Sequence, residues 1–267
     1  MNQVIDCITF FDENYIFDLR YNIIKDCVDK IVVCESIYDH RGNLKKLNFK
    51  GHKKYLDNKI IYLVLEKPFP KNTSIWDNQA IQREFILENL TFVSDNDYIF
   101  FSDPDEIPNP NILKNFHLEK KFGIFLQKFY NYKFNLFNKY ESPWEGPRVT
   151  KKKNLKSIDD LRHKIRIKNL KFSFFNFNKE KSIQVFQNAG WHFNNIMSPE
   201  KMSIKLKTFA HSEYSSDEFS SINVIKEKID KKIDLYDRGY QYEVVKIDET
   251  FPSYLLNNLN KFEEFIA

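Results

Sequence analysis

Glycine is scarce: Gly42, Gly51, Gly123, Gly146, Gly190 and Gly239 are the only six in 267 residues, and no two lie closer than nine positions apart. No Gly-rich dinucleotide or P-loop cradle can therefore be written anywhere in the chain, and any phosphate must be held by metal and side chains. Cysteine is scarcer. Cys7, Cys27 and Cys34 are odd in number and lack metal-ligand spacing, which excludes a disulfide framework and reads as reduced, small buried hydrophobes in a cytoplasmic protein. No apolar run approaches the ~20 residues of a membrane span. The opening MNQVIDCITFF has neither a basic n-region nor a small-residue cleavage site, so no secretion signal is expected. The net charge of +4 is nearly balanced, and no nucleic-acid partner is expected.

What is present is an alternation of apolar runs and amphipathic stretches. Val4–Phe11, Lys30–Cys34, Lys59–Leu65 and Tyr98–Ser102 are rich in Ile, Val, Phe or Tyr and read as strands. A helix with Ile16, Leu19, Ile23 and Cys27 on one face separates the first two. A second, starting after Thr73 and Ser74, carries Trp76, Ala80, Ile81, Arg83 and Phe85. This β-α-β order predicts a three-layer α/β sandwich around a mostly parallel sheet. Residues 123–150 read as further strands with aromatic faces, ending in a loop PWEGPR. The C-terminal part reads as a helical extension: Ser198 and Pro199 open a helix with Met202, Leu206 and Phe209 in its stripe. Ile222, Ile225, Ile229 and Ile233, then Leu255, Leu259, Phe262 and Ile266, make later stripes. At this length one domain is expected, with a donor-binding half over 1–122, an acceptor half over 123–197 and C-terminal helices over 198–267.

All four early strands run into acid: Asp12-Glu13, Glu35, Glu66 and Asp103. In open α/β sheets ligands bind outside the strands' carboxyl ends, so a row of acids there is a cation site or solvated loop composition, and Glu66 is assigned to the latter. The densest group is DYIFFSDPDEIPNP, residues 97–110, where Asp103, Asp105 and Glu106 follow an apolar strand directly. Such carboxylates repel one another unless a cation sits among them, and hard divalent ions take oxygen ligands of this kind. Pro104 favours an extended Asp103 and lets both aspartates converge. Asn109 is placed to cap a short helix opened by Pro110.

An EF-hand would need Gly at Pro108 and Glu at Lys114, and fails. A phosphohydrolase with Asp103 as nucleophile and Asp159-Asp160 completing a metal site stays open. So do a GT-A nucleotide-sugar transferase and a non-catalytic glycan- or nucleotide-binding protein. From Arg148 to Lys171 ten Lys or Arg face two acids. That basic patch could meet a nucleotide diphosphate, an anionic acceptor or a membrane surface, leaving peripheral membrane contact open, or be a solvated face.

Taken in order, DCITFFDENYIFDLRYN, VVCES, the Trp76–Arg83 helix, DYIFFSDPDEIPNP, NAGWHFNNIMSPE and FPSYLLNNLNKFEEFI resemble glycosyltransferase family 17, the β-1,4-mannosyl-glycoprotein β-1,4-N-acetylglucosaminyltransferases and their bacterial and viral relatives. The resemblance implies a GT-A-like fold and an inverting transfer from a UDP-sugar, UDP-N-acetylglucosamine above all, assisted by Mn²⁺ or Mg²⁺. It places Asp103 and Asp105 on the family's acidic motif, Asp105 as metal ligand and Asp103 as metal or ribose ligand. His192 is the second metal ligand and His211 its fallback. Glu13 and Glu35 would meet uridine or ribose hydroxyls, and Arg83 the diphosphate or, equally, the acidic loop. Glu106, ahead of Glu145, would serve as base, and Trp144 and Trp191 would stack on sugar. With no anchor and no luminal cysteines, a cytoplasmic enzyme acting on a polysaccharide, lipid-linked or viral surface glycan is the expected form.

Overall fold

The computed structural model describes residues 2–171, 178–208 and 214–267; Phe209 and His211 lie outside the described residues. In chain order the elements are β1 (Val4–Phe10), α1 (Asn14–Ile24), β2 (Lys30–Ser36), α2 (Gly51–Lys54), β3 (Ile60–Leu65), α3 (Ile75–Glu88), β4 (Tyr98–Ser102), β5 (Glu106–Pro108) and α4 (Pro110–Leu113). Then follow β6 (Phe122–Asn131), β7 (Leu136–Phe137), β8 (Trp144–Lys151), α5 (Ile158–Lys164), β9 (Ile183–Phe186) and β10 (Gly190–Asn194). The last part holds α6 (Pro199–Thr208), α7 (Asp217–Ser220), α8 (Ile222–Lys231), β11 (Glu243–Val244) and α9 (Ser253–Leu256).

The expected three-layer α/β architecture is present. β3, β2, β1 and β4 lie side by side and parallel, and the sheet then continues antiparallel through β8 to β6. Residue parity along β1 divides the interior. Val4, Ile8 and Phe10 pack under α1, whereas Ile5 and Cys7 face Ile86 of α3 and Ile158 and Leu161 of α5. That is the two-residue strand period serving two cores, each covered by helices. A third cluster joins Met202, Leu206 and Ile225 of the C-terminal helices to Tyr132 and Leu136, which seats the extension against the end of β6.

Local signals act where expected. The Ser74 hydroxyl accepts the Asp77 amide while Asp77 accepts the Ser74 amide, closing a capping box on α3. The Asn109 side chain caps α4, with Pro110 in the first turn. Three expectations need correction. PWEGPR opens strand β8, because its backbone pairs with β6 across Leu126↔Glu145 and Gln127↔Trp144. Cys27 lies past the end of α1. The stripe from Leu255 to Ile266 is no single helix: α9 stops after one turn and two 3-10 turns follow, because Asn258 adopts φ −136°.

One buried ion pair sets the geometry of the strand ends. Arg20, fully buried on α1, meets Asp6 of β1 through Nε (2.8 Å), and its Nη2 also donates to Ser102 Oγ at 2.8 Å. Its Nη1 reaches the carbonyls of Glu106 at 2.9 Å, Asp103 at 3.3 Å and Pro104 at 3.4 Å. Breaking such a pair from one side leaves an uncompensated charge in the core, typically about 3–5 kcal/mol. Arg20→Met is therefore expected to lower the unfolding free energy by roughly that amount in urea titration, and Asp6→Val with Arg20→Met to regain part of it. A single-variant loss under about 1 kcal/mol would refute this account.

Candidate active site

β4 delivers the acidic turn to the carboxyl edge of the parallel strands, and β10 arrives beside it. β10 pairs antiparallel with β5 and parallel with β6, which sets His192 between Glu106 and Phe129 in register. Gly190 makes this approach feasible. Its φ is +140°, and a Cβ there would stand 2.1 Å from the Ile107 carbonyl oxygen.

A cavity of about 380 Å³ opens here, lined by Asp103, Asp105, His192, Glu13 and Trp144 among others. The Asp105 carboxylate stands 3.5 Å from His192 Nε2. The His192 ring stacks on Phe129 at 4.2 Å, and its buried Nδ1 has no hydrogen-bond partner among the described residues. Asp103 accepts from Arg162 Nη2 at 2.8 Å. Burial works against both aspartate charges, yet both carboxyls sit below their ordinary range: Arg162 and Arg83 outweigh burial at Asp103, and His192 and Lys205 do so at Asp105. Both are held ionised.

In donor type these residues suit a divalent cation: carboxylates and an imidazole combine hard oxygen with a nitrogen acceptable to Mn²⁺. In arrangement, no group of three His, Cys, Asp or Glu among the described residues is placed to hold a metal ion; Asp105 and His192 stand within reach of each other, while Asp103 is turned to Arg162.

Other expected site residues have different work. Glu106 is fully buried and all four of its acceptor positions are filled: Oε1 by Arg162 Nη2 (2.6 Å) and Trp144 Nε1 (2.6 Å), Oε2 by Arg162 Nη1 (2.9 Å) and the Asp103 amide (3.2 Å). A carboxylate offers about four such positions, so Glu106 has none for a substrate proton and its expected role as base is corrected. Glu145 differs: its Oε2 accepts from Arg148 Nη2 and Arg166 Nε at 3.0 Å each and from the Ile167 amide, and the residue lies outside the cavity lining. Glu35 is buried beneath the 45–49 segment, where it accepts from Lys45, the Asn48 and Phe49 amides and Tyr62, so it braces a loop and does not line the cavity. Arg83 pins α5 through Asp159 at 2.8 Å, and neither it nor Asp159 or Asp160 lines the cavity. The pinning alternative therefore prevails.

Trp144 reaches the cavity with its ring 4.9 Å from His192. Trp191 points the other way, being one residue out of phase with His192 along β10. It donates to the Thr250 carbonyl at 3.0 Å and lines a separate groove of about 430 Å³. Glu13 does line the cavity, but its Oε2 accepts the Phe11 and Asp12 amides at 2.8 and 3.0 Å, and burial, ahead of the neighbouring Asp105, raises its pKa. Glu66 is exposed as expected.

Sequence reasoning missed Arg20, Arg162, Lys205, Glu141 and Arg238. Arg20 had a visible signal, a lone cation amid Ile16, Leu19 and Ile23 on the core-facing side of α1. Arg162 was hidden in the Lys- and Arg-rich run.

The sequence profile of glycosyltransferase family 17 matches residues 1–265. Similar curated proteins are the β-1,4-mannosyl-glycoprotein 4-β-N-acetylglucosaminyltransferases of Rattus norvegicus and Homo sapiens, each 29% identical over 117 residues, 40% of this chain. That match spans 22% of the length of each relative. Glucosyl-3-phosphoglycerate synthase of M. tuberculosis, a solved structure, overlays 96% of this chain and 92% of its own with a TM-score of 0.40 at 11% identity. The profile, extending over all but the last two residues, decides the assignment: this chain belongs to glycosyltransferase family 17.

Proposed function

We propose that the protein transfers a sugar, N-acetylglucosamine, from a UDP-linked donor to a glycan hydroxyl with inversion at the anomeric carbon. The observation that carries the reading is the Asp105–His192 pair, 3.5 Å apart, in a cavity also lined by Asp103 at the carboxyl ends of parallel strands, in a family of glycosyltransferases. Asp105 and His192 would hold Mn²⁺ or Mg²⁺, with Asp103 beside them. A divalent ion there supplies positive charge to a departing diphosphate.

The chain's own groups do the remainder. Lys205, on α6 next to Asp105 and Glu13, adds a cation to the phosphate side. His40, Gln79 and Gln82 also line the cavity; His40 Nε2 pairs with Gln82 Oε1 at 2.7 Å and Gln82 Nε2 donates to the Cys34 carbonyl at 2.8 Å, so Gln79 is the amide offered to a base or ribose, beside a His40 whose pKa burial lowers. Arg162 fixes the Asp103 carboxylate in place. In this reading residues 1–122 act mainly on the donor, joined by His192 and Arg162, and the rest of 123–197 serves the acceptor, with a polysaccharide or lipid-linked glycan as the acceptor class. Among the described residues no helix is long and apolar enough to cross a membrane. Against the phosphohydrolase alternative, neither Asp159 nor Asp160 lines the cavity that holds Asp103.

The decisive assay screens UDP- and GDP-sugars for slow, Mn²⁺-stimulated release of the nucleotide, water serving as acceptor. UDP release from UDP-N-acetylglucosamine is expected, falling about 100-fold or more in Asp105→Asn. Persistence of that release in Asp105→Asn would remove the metal role; tight UDP binding without turnover on any donor would leave a binding module. Arg162→Lys, which keeps the charge but loses the two-pronged grip, is expected to raise the Mn²⁺ concentration for half-maximal rate by roughly 10-fold or more. An unchanged half-maximal concentration would show that Asp103 needs no such support.

A further inference from the structure

Inverting transfer requires a carboxylate facing the attacking hydroxyl; of the two candidates legible in the sequence, Glu106 has every acceptor position filled and Glu145 does not line the cavity. Five carboxylates line the cavity: Glu13, Asp39, Asp103, Asp105 and Glu141. Asp39 closes its own turn: Oδ1 accepts the Arg41 and Asn43 amides at 2.9 and 2.8 Å and Oδ2 the Asn43 side chain at 3.0 Å, which directs the carboxylate into the 39–43 loop. Asp103 and Asp105 belong to the cation set. Glu13 is under the charges of Asp105 and Lys205, which the reading above gives to the cation and the phosphate. Glu141 remains.

We propose that Glu141 is the catalytic base. This rests on the transferase reading above and names the residue that reading lacks. Glu141 stands on the β7–β8 connection with its side chain 21% exposed. Its Oε2 accepts from Asn138 Nδ2 at 2.9 Å and Arg238 Nη2 at 3.2 Å, while among the described residues Oε1 accepts only from Arg238 Nη1, at 3.0 Å. Among those residues one Oε1 lone pair is therefore open, where Glu106 has none.

The carboxylate is also held firmly. Arg238 is gripped on its other side by buried Asp234, through Nε at 2.9 Å and Nη2 at 2.7 Å. Its guanidinium lies over the Tyr240 ring at 4.6 Å, and Tyr240 stacks on Tyr140 at 4.5 Å with a 6° interplanar angle. The connection is tied to the metal side as well. Ser142 Oγ accepts the Phe129 amide at 2.9 Å and the Asn138 amide donates to the Phe129 carbonyl at 2.8 Å, and Phe129 carries the His192 ring. Residues on both sides of Glu141 thus anchor to the strand that supports His192, a rigid placement of the kind a catalytic group needs.

In the step itself the acceptor oxygen forms a bond to the anomeric carbon as its proton passes to Glu141 Oε1. The bond from that carbon to the diphosphate oxygen breaks, and its electron pair leaves with UDP.

UDP release from UDP-N-acetylglucosamine with Mn²⁺ is measured for the wild type, Glu141→Gln, Glu141→Asp and Glu13→Gln. The rise in melting temperature caused by UDP and Mn²⁺ is read on the same samples. Expected for Glu141→Gln are a kcat roughly 100-fold lower or more, a donor KM within about threefold of wild type and an unchanged melting shift, with Glu141→Asp regaining about 10-fold in rate. The proposal is overturned if Glu141→Gln keeps its kcat within about threefold of wild type, if it loses the UDP-induced shift together with the rate, or if Glu13→Gln alone shows the pure kcat loss. A wild-type protein that releases no nucleotide from any sugar donor sinks the transferase reading and takes this inference with it.

Discussion

The site depends on how a turn with three carboxylates in four residues is kept in place. Asp103, Asp105 and Glu106 would repel one another and draw the turn into solvent. Two arginines from opposite layers of the sandwich prevent this. Arg20, rising from α1, binds the backbone carbonyls of Asp103, Pro104 and Glu106, while Arg162, descending from α5, binds the side chains of Asp103 and Glu106. One clamp fixes the course of the chain and the other the direction of its charges. Burial opposes the Arg162 charge, but Glu106 and Asp103 more than compensate, so its pKa rises and it stays a cation.

From that arrangement follows the sorting of the acids. Glu106, between Arg162 and Trp144, is neutralised and buried. Asp105, which has His192 and no guanidinium, remains directed at the cavity. Asp103 is intermediate, with one oxygen on Arg162 and its side chain 37% exposed. A single positive side chain thereby divides three chemically similar neighbours into a structural acid and two that can meet a ligand. Spacing alone could not assign these roles, since the partner that makes the difference lies 56 residues from Glu106 in sequence.

Legibility followed the range of the interactions. The parallel strands, the capping box at Ser74 and the Asn109 cap are local or periodic signals, and each appears where the residues place it. The pairing of the acidic turn with GWHF was approached through family resemblance, and β10 does run beside β5. Glu35 misled because a strand-end acid looks the same whether it faces a ligand or receives the amides of Asn48 and Phe49 from a returning loop. Trp191 misled by one residue of strand phase, which decides between cavity and opposite groove. PWEGPR looked like a loop from its prolines, but Pro147 sits inside β8, beside the β-bulge where pairing to β6 shifts between Ile124 and Leu126.

The same long-range logic makes the three sequence segments inseparable as a site. Residues 1–122 contribute the acidic turn and its Arg20 clamp, 123–197 contribute Arg162, Trp144 and His192, and 198–267 contribute Lys205 and Arg238. The last segment is placed by its own core: Met202, Leu206 and Ile225 pack on Tyr132 and Leu136, just beyond the end of β6. Since Phe129 of β6 supports the His192 ring, the strand that orients the nitrogen ligand is also the strand on which the C-terminal extension rests. A disturbance of the β6 end would therefore move the imidazole and the Lys205 and Arg238 side chains together, so the two sides of the cavity share one mechanical foundation.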